Sequence, residues 1–146
     1  MKKRVLVFGV FDLLHPGHLY FLRQAKKYGD ELVVIVARDA MVKKIKGRLP
    51  YFTEAERLSL ISSLAIVTKA SLGDSPGRWS MIQKWKPRVV CIGHDQSKDH
   101  PGVKAQFSKL KQQPRIIQIK AFHRHRYRSS VLKAKVKSQR SNVLYD

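Results

Sequence analysis

The segment Gly9-Val-Phe-Asp-Leu-Leu-His-Pro-Gly-His18 gathers the side chains richest in chemistry. His15 and His18 stand three residues apart across a Pro-Gly turn, so both imidazoles can face one anion. Gly17 lets a phosphate come close to the backbone. A helix opening near Pro16 offers that phosphate its unpaired N–H groups and the positive end of its dipole. A lone histidine at a strand end reads as a polar cap. Two of them around Pro-Gly, directly behind an apolar run, read as a phosphate site.

The elements that must position this loop follow from the hydrophobic pattern. Val5–Phe8, Leu32–Val36, Ala65–Val67, Val89–Ile92 and Arg115–Ile119 read as five strands. Continuous Val/Ile runs suit parallel strands covered on both faces. His18–Tyr28 carries Leu19, Leu22 and Ala25 on one helical face, with Gly29 as its C-cap. Thr53 and Glu56 form a capping box that opens a helix with Leu58, Ile61 and Leu64 on its apolar face. Trp79–Trp85 is a short helix stopped before Pro87, and Lys104–Gln112 and Ser129–Lys137 read as two more. Strands alternating with helices make a three-layer α/β domain with a parallel sheet of about five strands. There is no internal repeat and no linker, so residues 1–146 read as one domain. The loop from Gly9 to His18 then lies beyond the carboxyl end of the first strand, where open parallel sheets bind ligands.

Composition narrows the classes. A chain of 146 residues with 43% hydrophobic residues is long and apolar enough to bury a core, which excludes disorder. One cysteine, Cys91, excludes an internal disulfide or a multi-cysteine metal cage, and reads as a small buried strand residue. No apolar run reaches the length of a membrane span. The basic start leads into an apolar stretch interrupted by Asp12, a pattern of a cytoplasmic protein rather than a signal peptide. Thirty Lys and Arg against ten Asp and Glu give a net charge of +20, densest after residue 96. Such a surface attracts polyanions, so weak nonspecific binding of nucleic acid is expected whatever the function.

At Gly9–His18 the chain resembles the cytidylyltransferase-like nucleotidyltransferase superfamily, whose marker is His-x-Gly-His. The resemblance implies a Rossmann-like domain that joins a nucleoside triphosphate to a phosphorylated small molecule and releases pyrophosphate. It makes His15 and His18 the stabilisers of the α-phosphate in a pentacovalent transition state, by preplaced donors rather than acid–base chemistry. Gly9, Val10, Phe11, Asp12 and Gly17 become nucleotide-binding, with Asp12 beside the metal and phosphate. Lys43-Lys-Ile-Lys-Gly-Arg48 falls in the loop after the second strand, where the family keeps triphosphate lysines. Lys46 is therefore assigned to catalysis and Lys44 to the nucleotide. Asp39 and Arg57 are candidates for holding the acceptor, the competing reading of Arg57 being a surface helix residue. Asp95, behind the fourth strand, is placed to accept bonds from ribose or base. Arg124 or Arg128, with Ser129 and Ser130 at a helix start, would grip the outer phosphates.

Two branches of that superfamily are similar. Glycerol-3-phosphate cytidylyltransferases share the length and the opening motif. Archaeal-type FAD synthetases match better through Ile45–Pro50, Glu56–Leu58, Leu72–Asp74, Lys86–Val90 and Gly93–Gln96. FAD formation from ATP and FMN is thus the leading expectation, and CDP-glycerol formation from CTP the alternative. A catalytically idle fold that binds nucleic acid is the reading from another class, and the intact histidine pair speaks against it. The resemblance also implies a homodimer, and magnesium or another divalent cation carried with the triphosphate, since the chain offers few carboxylates there and no metal-ligand set of its own.

Overall fold

The computed structural model of the chain describes residues 2–75, 80–94, 107–121 and 133–134. The elements are β1 (Arg4–Gly9), α1 (Pro16–Lys26), β2 (Glu31–Val36), α2 (Asp39–Lys46), α3 (Glu54–Ser62), β3 (Lys69–Leu72), α4 (Met81–Trp85), β4 (Val89–Ile92) and β5 (Arg115–Gln118). All five strands are parallel, in the order β3-β2-β1-β4-β5.

β1 is the hinge of this order and alternates between two cores. Val5 and Val7 enter one with Leu22 and Ala25 of α1 and Ile61 of α3. Leu6 enters the other with Ile82 of α4 and Phe107. The sheet is thus sandwiched between helices, and its strands read as unbroken apolar runs for that reason. The chain leaves β1 toward β2 and returns to β4 on the other side. At such a switch point the connections diverge and leave a crevice beyond the carboxyl ends of β1 and β4.

Several local expectations are corrected. The third strand is Lys69–Leu72, not Ala65–Val67. Leu64, Ile66 and Val67 form a turn packed against the core, which produced the apolar signal. Thr68 then sets the register, its N–H donating to the Leu32 carbonyl (2.9 Å) and its hydroxyl accepting from the Leu32 N–H (3.0 Å). α1 is capped by Lys27 rather than Gly29. Gly29 is required because a Cβ there would stand 2.6 Å from the Lys3 carbonyl oxygen. Lys43, Lys44 and Lys46 belong to helix α2 and not to a loop, with Gly47 closing that helix in the left-handed region at φ 74°. The capping box of Thr53 and Glu56 is present at α3. Of the helix expected at Lys104–Gln112 only residues 107–108 are helical and 109–112 are turn, bend or irregular, while 104–106, Trp79 and all of Ser129–Lys137 but 133–134 lie outside the described residues. Among the described residues no helix is long and apolar enough to cross a membrane.

Candidate active site

His15 is the N-cap of α1 and His18 its third residue. The Gly17 N–H donates to His15 Nδ1 (3.0 Å), and the His15 N–H donates to His18 Nδ1 (3.3 Å). The two rings stack with centroids 3.7 Å apart and 23° between planes. Each Nδ1 is therefore an acceptor, which places the proton of each neutral imidazole on Nε2. Burial pushes the His15 pKa down. Burial also drives His18 down to about 3, helped by the charges of His15 and Lys46 and opposed by Asp12. At neutral pH the helix start thus carries two uncharged imidazoles, each with its proton on Nε2, while the Gly17, His18 and Leu19 N–H groups all bond to His15.

The loop that aims these rings is strained. Phe11 and Leu13 sit at φ 53° and 49°, in the left-handed region that costs a non-glycine residue about 1–2 kcal/mol. Gly9 makes the bend possible, because a Cβ on it would meet the Phe11 ring at 2.6 Å. That ring in turn stands edge-on to His18, centroids 5.5 Å apart. Strain of this kind persists where surrounding contacts over-determine the backbone.

Those contacts run through Asp12 and Arg57. Asp12, only 3% exposed, accepts the N–H groups of Tyr51 (2.8 Å) and Phe52 (3.0 Å), and pairs with the Lys133 ammonium. Burial alone raises its pKa, but the bonds from Lys133, Phe52 and Tyr51 outweigh it and hold the carboxyl below its ordinary value. Arg57 is 0% exposed, and its guanidinium donates to the carbonyls of Val10 (2.8 Å) and Phe52 (3.1 Å) and to Asp39 (2.7 Å). The loops at 10–12 and 51–52 are sewn together from both sides. Asp39 and the Glu54 N–H also bond, as do Glu54 and the Asp39 N–H. Arg57 is thus a buried residue and not the surface helix residue of the competing reading, and its charge and that of Asp39 are turned on each other and on the backbone. Asp12 likewise spends its carboxylate on the loop and on Lys133.

The lysines separate. Lys46 is exposed, and its charge is felt at His18. Lys44, two residues earlier on the same helix, points about 200° away around the axis. Lys133 was missed in the sequence, where it is one basic residue among many. Its ammonium pairs with Asp12 and lies 4.9 Å from the centre of the Tyr51 ring. Asp95, Arg124, Ser129 and Ser130 lie outside the described residues. Among the described residues no three His, Cys, Asp or Glu side chains are grouped to hold a metal. Cys91 is fully buried in β4, and that burial raises its thiol to about 11.

A doubly wound parallel sheet with paired imidazole donors at its first helix start defines a nucleotidyltransferase. Comparison with known proteins agrees. The cytidylyltransferase-like family model matches residues 6–135, and the chain belongs to that family. An FAD synthase of Thermoplasma volcanium is 38% identical over 91% of this chain and 93% of its own length. An FAD synthase of Methanococcoides burtonii is 48% identical over 64% of each chain. The crystal structure of a lipopolysaccharide core biosynthesis protein from Thermoplasma volcanium superposes with a TM-score of 0.76 at 38% identity, covering 84% of this chain and 99% of that one.

Proposed function

We propose that the protein joins the adenylyl group of ATP to FMN, forming FAD and pyrophosphate. The observation that carries this reading is the stacked pair His15 and His18, both neutral with the proton on Nε2, in a chain similar to FAD synthases over most of its length. A phosphate oxygen of FMN attacks the α-phosphorus of ATP, the bond to the bridging oxygen breaks, and pyrophosphate leaves with that electron pair. The two Nε2–H groups donate to oxygens that gain charge in the transition state, with no proton lost from either ring. Lys46 holds the outgoing phosphates as a mobile point charge. Gly9, Val10, Phe11 and Gly17 form the loop against which the nucleotide lies, and Lys44 is a weaker contributor. Asp95, Arg124, Ser129 and Ser130 are assigned to the nucleotide on the strength of the resemblance. A divalent cation bound to the triphosphate supplies charge neutralisation.

The proposed setting is the cytoplasm, where such charged substrates are retained, and the proposed assembly is a homodimer, checked by light scattering. The function is tested by pyrophosphate release from ATP and CTP with FMN, glycerol 3-phosphate, phosphocholine and sugar phosphates. ATP with FMN is expected to react, and FAD to appear in the product. Reaction of CTP with glycerol 3-phosphate alone would transfer the site to the alternative substrates. No turnover, with tight sequence-selective nucleic-acid binding, would replace the enzyme with a basic binding module.

A further inference from the structure

We propose that Tyr51 is the stacking platform for the flat ring system of the phosphorylated acceptor, an inference that rests on the FAD-forming reading above. Large apolar side chains are often exposed singly without meaning. Here Ile45, Leu49 and Tyr51 are 69%, 57% and 59% exposed within one connection, from the end of α2 to the start of α3. Interleaved with them are Lys43, Lys44, Lys46 and Arg48. An apolar ring bearing a phosphate is the ligand that such a mixture of surfaces suits.

Tyr51 stands out from its neighbours because it is fixed in place. Its N–H is held at 2.8 Å by Asp12, a buried carboxylate three residues before His15. Lys133 lies over its ring, 4.9 Å from the centroid. An ammonium so placed is attracted to the ring and restrains its orientation. The side chain is nonetheless more than half exposed, so ring surface remains for a ligand. A rigid, cation-backed aromatic next to a phosphate-binding helix start loses little freedom when another ring stacks on it. His15 and His18 hold the α-phosphate of ATP in this scheme, and Tyr51 selects what the attacking phosphate of the acceptor is attached to.

The test is fluorescence titration of FMN with the full chain and with Tyr51→Leu and Tyr51→Phe, alongside KM values for ATP and FMN. The leucine variant keeps the N–H that Asp12 holds and removes only the ring. We expect wild type to quench flavin emission on binding. Tyr51→Leu should weaken FMN binding about tenfold, the loss typical of one stacked ring, abolish the quenching and leave the ATP KM unchanged. Tyr51→Phe should keep the affinity within about twofold with little quenching, since a phenol quenches flavin emission and a benzene ring does not. Equal FMN affinity and quenching in wild type and Tyr51→Leu would overturn this role while leaving the FAD-forming reading intact. A rise in the ATP KM with FMN binding unchanged would also overturn it, giving the ring to the base. If wild type binds no FMN, both proposals fall together.

Discussion

His15 and His18 lie ring on ring at 3.7 Å, and each has its Nδ1 occupied by a backbone N–H of the same turn. One set of bonds therefore closes the helix start and fixes the tautomer of both donors. Capping and the proposed catalytic role share the same two side chains, and substitutions can separate them.

His18→Asn is the separating variant. Asparagine Oδ1 stands near the place of Nδ1 and keeps the bond from the His15 N–H, while the Nε2–H donor is lost. Turnover should fall by about 10²–10³, the usual cost of one transition-state donor, with the melting temperature close to wild type. His18→Ala should lose the same activity and about 1 kcal/mol of stability besides. Near-normal pyrophosphate release from folded His18→Asn would remove His18 from the chemistry.

Acid stability follows from the same ring. In the unfolded chain His18 takes a proton near its ordinary value of 6.5, and in the fold only near 3. Between those values the unfolded state binds more protons. His18 therefore contributes stability in full above about pH 6.5 and loses it as the pH falls toward 3, at no more than about 1.4 kcal/mol per pH unit. Urea melts from pH 7 to 4.5 should show a shallower decline for His18→Asn than for wild type. Parallel curves would mean that His18 protonates normally in the fold.

For the nucleotide grip, Lys46→Ala should raise the KM for ATP more than for the acceptor, and Lys44→Ala should change it less. The contrast rests on helix geometry, since the two lysines point about 200° apart. Equal effects from the two substitutions in steady-state kinetics would contradict that assignment.

The sheet was readable from Val5–Phe8, Leu32–Val36 and Val89–Ile92 because strands buried on both faces leave no polar interruptions. The edge strand at Lys69–Leu72 was not, because Lys69 and Ser71 blur it and the apolar turn before it is louder. The histidine pair was legible from local spacing alone. Arg57 was not. A guanidinium on a helix reads as surface, and its burial depends on carbonyls at Val10 and Phe52 that only the fold brings near. Lys133 is the extreme case, since its partner Asp12 is 121 positions away.

Arg57→Leu should therefore behave as a core lesion. It leaves the Val10 and Phe52 carbonyls without the donor they have in the fold and removes the counterion of Asp39. A loss of about 2–4 kcal/mol is expected from denaturant midpoints. A loss below about 0.5 kcal/mol, the range of ordinary surface substitutions, would contradict its burial.

With a net charge of +20 the protein should retain nucleic acid at low salt, and that affinity should fall log-linearly as salt rises. ATP should stay bound at about 200 mM salt, because the imidazole donors contribute beside the charges. Calorimetry with both ligands across a salt series checks this. Loss of ATP in step with nucleic acid would mean that charge alone holds it.

The bond between Asp12 and Lys133 also sets an order of events during synthesis. The sheet centre, the histidine turn and the Arg57 stitch are all encoded before residue 95, so they can pack on a growing chain. Until Lys133 has been made, Asp12 can keep the bonds from the Tyr51 and Phe52 N–H groups but lacks its ion-pair partner. The clasp between the two ends of the chain is therefore the last of these contacts able to close.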